Sequence, residues 1–377
     1  MIRVLHSVSY MHRAGVETFL MNYFRNIDRS VIQFDFLCNK QAAGEYDNEI
    51  RQLGGRIFYR PGFDLLQEEN YVAFWHGFLG EHPEIQIIHS HNGAKQYYPL
   101  QGAKEAGFPI RIAHAHSSDF VHDEKYQYRR SLIARLPQAA SFYFGCSDKA
   151  GRFFFGDEIW EEKGVLIRNA VPCEQLAWNP ELRQMMRSRL GLSRRFVIGH
   201  VGRFMTQKNH SRLLDIFQAV YQRNQDARLL LVGEGELMET IRQKANRLNI
   251  ESAVIFAGNQ ADMAQWYQAM DVFVMPSFFE GLPVSGIEAQ AAGLPCVFSD
   301  AVSVEASVTK DVRFVPLGSS DSEWADVILS FVNHKRYNTH TELRNAGYDI
   351  SIEAIHLQEK YVRILQEHSE TEYEFSI

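Results

Sequence analysis

A chain of 377 residues, 45% hydrophobic and 23% charged, is too long for one ordinary core and reads as a globular protein of two domains. Its formal net charge of −7 excludes a general nucleic-acid binder, which needs a basic surplus to displace phosphate counterions. The 4 cysteines, Cys38, Cys146, Cys173 and Cys296, form no CxxC pair and no dense framework, so free thiols in a reducing cytoplasm are expected.

The first ten residues read directly as a strand, without the basic and apolar stretches of a signal peptide. No apolar run approaches the roughly eighteen residues a membrane-spanning helix needs, so any membrane contact is expected to be peripheral. Short runs rich in Val, Ile and Phe alternate with segments of helical period, the pattern of parallel sheets covered on both faces. Strands are predicted at Ile2–Ser7, Ile32–Cys38, Arg56–Tyr59, Ile85–His91, Ile110–His116, Phe142–Cys146 and Val165–Arg168. After the polar segment Cys173–Pro180, bracketed by Pro172 and Pro180, a second series follows. It comprises Phe196–Val201, Arg228–Val232, Val254–Ala257, Asp271–Met275, Cys296–Ser299 and Arg313–Pro316. Helical segments near Ser322–Lys335, Thr339–Ala346 and Ile352–Gln366 close the chain, and a tail of that kind can return to the first domain. The expected division is therefore residues 1–173 with about 352–377, and residues 174–351.

In the second series, the strand Phe196–Val201 runs into Gly202, Arg203, a short loop, Lys208 and a helix entered through Asn209. A strand end feeding a helix N-terminus is an anion site, because free N–H groups and the helix dipole favour negative charge. Arg203 and Lys208 can then bond a diphosphate, or be two surface cations; local sequence weighs these evenly. After Asp271–Met275, the stretch Pro276–Gly293 places Glu280 in a loop and Glu288 in a helix. Gly281 allows a sharp turn, Pro283 suits a first helical turn, and Gly286, Ala289, Ala291 and Ala292 keep the helix thin. Two carboxylates can accept from sugar hydroxyls while the N–H groups around Leu282–Ser285 take phosphate oxygens; the rival reading is a buried helix with two solvated glutamates.

Glu280 and Glu288, with the preceding Pro276–Ser277, resemble the double-glutamate motif of glycosyltransferase family 4, and Gly202-Arg203…Lys208-Asn209-His210 is similar to that family's phosphate segment. Val4-Leu-His…Ala14-Gly15-Val-Glu17-Thr resembles its opening strand and loop, Ile167-Arg-Asn169-Ala-Val-Pro172 its interdomain segment, and Gly347-Tyr-Asp349 its exopolysaccharide and capsule branch. The resemblance implies an α/β protein of GT-B fold: two tandem Rossmann-like, doubly wound parallel-sheet domains facing a cleft, the first for the acceptor and the second for the donor, with a C-terminal helix crossing back. It implies a retaining, metal-independent hexosyltransferase without cofactor, moving a sugar from a nucleotide diphosphate, UDP by branch, to a glycan or lipid-linked oligosaccharide. By the same resemblance Arg203 and Lys208 meet the diphosphate, Glu280 the transferred sugar, Glu288 the ribose, and Gly281, Leu282, Pro283 and Val284 complete the donor site. Gly258 and Asn259 lie near the base, Gly15 approaches the phosphates, and His116 faces the reacting side of the sugar. One departure is Ala14, where many members have a second glycine, which would make a left-handed loop costly.

His89/His91 and His114/His116 each share a strand face, and a zinc site is conceivable, but no local Cys, Asp or Glu completes a ligand set. The simpler reading keeps His116 as a site residue at a strand's carboxyl end and the other three as structural. The segment Lys125–Pro137 carries Lys125, Arg129, Arg130 and Arg135 without an acid, so it forms either a packed amphipathic helix, the favoured reading, or a peripheral contact with an anionic inner membrane. Two rivals for function remain open on sequence: a nucleotide-sugar epimerase of the same architecture and a non-catalytic nucleotide-sugar-binding protein.

Overall fold

The computed structural model describes residues 1–60 and 68–374, so the last three residues of the expected first domain lie outside the described residues. Two compact units form, one from Met1–Arg168 and the final helix, the other from Asn169–Asp349.

The first unit holds strands β1 (Ile2–Val8), β2 (Ile32–Cys38), β3 (Ile57–Tyr59), β4 (Ile85–Ser90), β5 (Ile110–Ala115), β6 (Phe142–Gly145) and β7 (Gly164–Leu166). They lie in the order β3-β2-β1-β4-β5-β6-β7, and every pairing is parallel. All of β2 is buried, as expected of a strand covered on both faces. Its one carboxylate, Asp35, is held by Arg3 at 2.6 Å and Arg56 at 2.7 Å, which satisfies a charge that burial would otherwise penalise. The final helix, Ile350–Glu374, packs on the helix Gly15–Asn26 of the same unit.

The second unit holds β8 (Phe196–Val201), β9 (Ala227–Val232), β10 (Val254–Phe256), β11 (Val272–Met275), β12 (Cys296–Ser299) and β13 (Val312–Val315), in the order β10-β9-β8-β11-β12-β13. These pairings too are parallel. In both sheets the strand order reverses beside the first strand, and doubly wound folds keep their ligands at that point, outside the carboxyl ends.

All thirteen predicted strands form, with ends differing by one or two residues. The boundary moves: the expected break after residue 173 falls after Arg168, because Asn169 Nδ2 donates to Leu282 O at 2.5 Å and Val171 N to Tyr348 O at 2.9 Å, tying residues 169–173 into the second unit. The helix expected at Ser322–Lys335 spans Asp321–Leu329, opened by a Ser320/Glu323 capping box and followed by Asn333 at a left-handed φ of 67°, which no helix continues through. Among the described residues no helix is long and apolar enough to cross a membrane. Cys38, Cys173 and Cys296 are free thiols, and all four cysteines, Cys146 included, are buried.

Candidate functional site

In the second unit the carboxyl ends of β8, β9 and β10 approach one another closely, and glycines permit it. A Cβ on Gly233, whose φ is 134°, would meet Gly202 O at 2.2 Å. Gly233 N in turn donates to Gly258 O at 2.9 Å, and Gly258 itself sits at φ 69°. Gly258 and Asn259 lie beside Glu234, whose Oε1 accepts from Asn259 N at 3.4 Å. Glu234 was not singled out in the sequence; its place between two glycines at a strand end was the available signal.

The loop after β8 and the loop after β11 are stapled together. Asn209 takes the left-handed region at φ 53°, which asparagine tolerates, and caps the helix His210–Arg223 through Arg212 N. Its Nδ2 donates to Pro276 O at 3.1 Å, Phe278 N donates to Gln207 O at 2.9 Å, and Gln207 Nε2 to Phe279 O at 2.9 Å. Lys208 Nζ closes the set on Glu280 Oε1 at 2.7 Å, both side chains being largely buried. Arg203 on the same loop is exposed, and among the described residues its guanidinium has no ion-pair partner. Under Gly202, buried His200 donates from Nδ1 to Val274 O at 2.8 Å, and burial pushes its pKa down to about 4.

The helix expected to carry Glu288 spans Val284–Ala291, with Pro283 as its N-cap rather than inside its first turn. Gly281, Leu282, Pro283 and Val284 are buried. Among the described residues the N–H groups of Leu282, Val284 and Ser285 have no backbone acceptor, so this edge presents donors that an anion can take. The reading of two solvated glutamates is wrong: Glu280 is 6% and Glu288 8% exposed. Glu288 Oε2 accepts from Tyr267 Oη at 2.7 Å, and burial raises its pKa to about 7, the tyrosine bond opposing. The second unit thus gathers Arg203, Lys208, Glu280, Glu288 and the 281–284 turn beyond the carboxyl ends of the central strands β8 and β11.

The remaining two candidates lie in the first unit. Gly15 opens the helix Gly15–Asn26, and a Cβ there would meet nothing within 4 Å, so the protein's own packing does not demand glycine. Ala14 is extended at φ −140°, which removes the expected penalty for lacking a second glycine. One turn on from Gly15, Phe19 packs its ring against those of His114 and His116, each 5.3 Å away. His116, half-buried just past β5, belongs to a larger array. His6, His89, His91 and His114, at the ends of β1, β4 and β5, surround it and are buried. His6 was passed over in the sequence because its partners come from strands that only the sheet order makes adjacent. Burial depresses all five, to about 3 for His6 and His116, so they are neutral. One ring nitrogen each of His6, His89 and His91, and of His91, His114 and His116, fall within 4.8 Å, so a ligand set exists where the sequence showed none, although it is made of imidazoles alone.

The basic segment forms the helix Tyr126–Ala139, with Leu132, Ile133, Leu136 and Ala139 buried. Arg129 bonds Asp123 and Val121 O, Arg130 lies over the Phe153 ring at 4.9 Å and Arg135 over Tyr97 at 4.1 Å, so three of its cations serve the fold. Lys125 is exposed at its start.

Residues 195–334 match the family profile described as Glycosyl transferases group 1. Over 357 residues the chain is 35% identical to the putative glycosyltransferase EpsF of Bacillus subtilis strain 168, covering 92% of this chain and 93% of that protein. It is 33% identical over 317 residues, 79% of each chain, to the UDP-Gal:alpha-D-GlcNAc-diphosphoundecaprenol alpha-1,3-galactosyltransferase of Escherichia coli. The crystal structure of Anabaena Alr3699/HepE in complex with UDP and glucose superposes with a TM-score of 0.74 at 20% identity, covering 98% of this chain and 99% of that one, which establishes the shared fold.

An unfolded histidine takes up a proton below about pH 6.5 while the folded ones of the first unit's array stay neutral, so stability held above that pH is lost as pH falls through it. Each such histidine steepens the loss by about 1.4 kcal/mol per pH unit. Thermal unfolding followed between pH 7 and 5 should show this dependence, and His6→Phe should flatten it; an unchanged slope would show that His6 titrates normally. For Glu288 the sign reverses: between the unfolded value of about 4.3 and the folded value of about 7 only the folded state keeps the proton, so rising pH destabilises. Glu288→Gln should raise the melting temperature at pH 8 and leave it unaltered at pH 4.5.

Proposed function

The chain belongs to the group 1 glycosyltransferases, the family 4 lineage of GT-B fold that serves polysaccharide biosynthesis, and from that premise we propose a retaining, metal-independent transfer of a hexose or aminosugar from a UDP-sugar to a lipid-linked glycan in exopolysaccharide, capsule or O-antigen assembly. The observation that carries this reading is the Lys208–Glu280 pair, set between exposed Arg203 and the donor-rich turn at 282–285. A UDP donor and a diphosphoundecaprenol-linked acceptor are named for the Escherichia coli relative, and UDP with glucose for the Anabaena structure.

As the bond from the anomeric carbon to the diphosphate breaks, negative charge grows on the leaving phosphate. Arg203 and the N–H groups of Leu282, Val284 and Ser285 stabilise it without reorganising, usually the largest single term in catalysis, and Lys208 joins them. Lys208 can shift toward the phosphate because Glu280 gains sugar hydroxyl donors in exchange. Glu280 thereby orients the sugar and need not attack it, unlike the paired carboxylates of retaining glycosidases. The acceptor hydroxyl enters on the face the diphosphate leaves, and the departing phosphate oxygen takes its proton. Glu288 receives the ribose hydroxyls, Gly258 and Asn259 flank the base, Gly15 lets the phosphates approach and His116 meets the sugar. The cations Arg203 and Lys208 do for the diphosphate what a divalent ion would do elsewhere, so no metal cofactor is proposed. The protein works in the cytoplasm, and contact with the anionic inner leaflet through Lys125, Arg129, Arg130 and Arg135 has less to support it, since three of these are engaged within the fold.

Lys208→Ala and Glu280→Ala should each slow transfer by about a hundredfold or more while the circular dichroism stays native; near-normal turnover in either would sink the assignment. In EDTA, UDP should raise the melting temperature where GDP and ADP do not, and less so in Glu288→Gln. Chromatography of UDP-sugar incubated without acceptor should show no epimer.

A further inference from the structure

The five histidines and Tyr361 form two hydrogen-bonded rows laid one on the other. In the first, His6 Nδ1 lies 3.0 Å from His91 Nε2 and His91 Nδ1 lies 2.8 Å from His116 Nε2. In the second, Tyr361 Oη lies 2.6 Å from His89 Nδ1 and His89 Nε2 lies 3.0 Å from His114 Nδ1. His89 covers His91 with ring centroids 4.3 Å apart, and His114 covers His116 at 4.0 Å and 18°.

Such a cluster invites a metal, and the ring planes decide against it. A metal ion sits in the plane of each imidazole that binds it, because the lone pair lies there. Two near-parallel rings 4.0 Å apart cannot both point a lone pair at one ion without turning, and turning breaks the bonds within the rows. The nitrogens facing each other within a row are already spent.

A neutral imidazole has one N–H and one lone pair, so along a row every bond must run the same way. Only two states exist: all N–H groups point toward β1, or all point toward His116. The inner end breaks the tie. His6 Nε2 is buried with no hydrogen-bond partner among the described residues, and the ring is flanked by Phe34 at 4.2 Å and Phe36 at 5.7 Å. Aromatic faces are negative, so they accept an N–H and repel a lone pair. The Asp35 carboxylate acts on His6 in the same sense, favouring positive charge there. With hydrogen on His6 Nε2, His6 Nδ1 accepts from His91 Nε2, and His91 Nδ1 accepts from His116 Nε2.

We propose that His6 and His91 are positioning residues that fix the tautomer of His116, keeping its proton on Nε2 and presenting Nδ1 as a hydrogen-bond acceptor. No protein partner for Nδ1 is present among the described residues, and the ring is half-buried, so a bound sugar can reach it. His116 then receives a hydroxyl hydrogen bond and orients that oxygen; it neither donates to it nor carries charge. The second row, anchored by Tyr361 on the final helix, holds the ring planes in place. The functional half of this inference rests on the placement of His116 at the transferred sugar.

The test is a nitrogen-15 spectrum of the full chain labelled at histidine, recorded at pH 7.5 without substrate, with His116 assigned by its loss in His116→Asn. Expected are a protonated-type shift at His116 Nε2 and an unprotonated type at Nδ1. In His6→Phe, or His6→Gln should that variant fold better, His116 moves toward a mixture of tautomers and kcat falls roughly three- to tenfold, with KM for the donor nearly unchanged. The reverse tautomer in the wild type, averaged shifts there, or His116 shifts that ignore the loss of His6 would each overturn the proposal. So would zinc moving the His91, His114 and His116 nitrogens together at one equivalent. Because the spectrum needs no turnover, it can fail while transfer stands; conversely, a fixed tautomer with full transfer in His116→Asn would remove the placement of His116 and leave the row.

Discussion

The contact of Lys208 Nζ with Glu280 Oε1 at 2.7 Å joins two loops across a separation of 72 residues in the chain. Neither charge is well solvated, so each is tolerable only because the other is there, and removing one strands its partner at a cost of about 3 to 5 kcal/mol. The neighbouring bonds from Asn209 and Gln207 to the Pro276–Phe279 backbone bring the loops into register for that pair to form. Everything proposed for the donor depends on this register. Arg203 stands on one of the stapled loops, and the N–H groups of Leu282, Val284 and Ser285 follow directly from the other. Asn169, donating to Leu282 O, fixes the turn from a third direction. An anion entering here meets groups already aimed, which is how a site stabilises developing charge without reorganising it.

At the carboxyl ends of β1, β4 and β5 the first unit meets the same problem of buried polar groups with neutral groups instead of opposite charges. Four imidazoles are buried and a fifth half-buried where aliphatic side chains would pack with less penalty, and they persist because each spends a nitrogen on a neighbouring ring or hydroxyl. This solution carries no net charge, at the expense of acid sensitivity. It also transmits direction, since a row of single-proton rings has a polarity that an ion pair lacks. The two units therefore settle buried polarity by different electrostatics: an opposite-charge pair at the strand ends of one, and oriented neutral rings at the strand ends of the other.

Strand positions were legible in the sequence because a buried parallel strand is a local signal: a short, mostly apolar run flanked by turn formers. Glu280 and Glu288 were legible as a motif, and their burial was not, since a carboxylate in a small-residue helix reads equally as a solvated face. The pairing of Glu280 with Lys208, like that of Glu288 with Tyr267, joins segments from different strand ends, and spacing along the chain holds no record of it. His6 escaped for the same reason. It becomes a neighbour of His89 and His91 only once β1 pairs with β4, and the order β2-β1-β4-β5 is a property of the sheet, not of any window of sequence. The shift of the unit boundary from residue 173 to 168 is a further case: Pro172 marks where the backbone changes direction, while the bonds of Asn169 and Val171 decide to which unit it belongs.

Glu288 shows why the site's cost falls on the folded protein before any ligand arrives. Burial raises its pKa to about 7, so the carboxyl keeps part of its proton near neutral pH, with one tyrosine hydroxyl as its described partner. A residue chosen for stability at that position would be apolar, or an amide. A carboxylate is better only if something brings hydroxyl donors to it, because each added donor favours the charged form and pulls its pKa back down. The vicinal hydroxyls of a ribose are donors of that kind. Binding would then release a proton from Glu288 near neutral pH and recover the energy that folding gave up, so the instability of the empty site becomes part of its affinity for the full one.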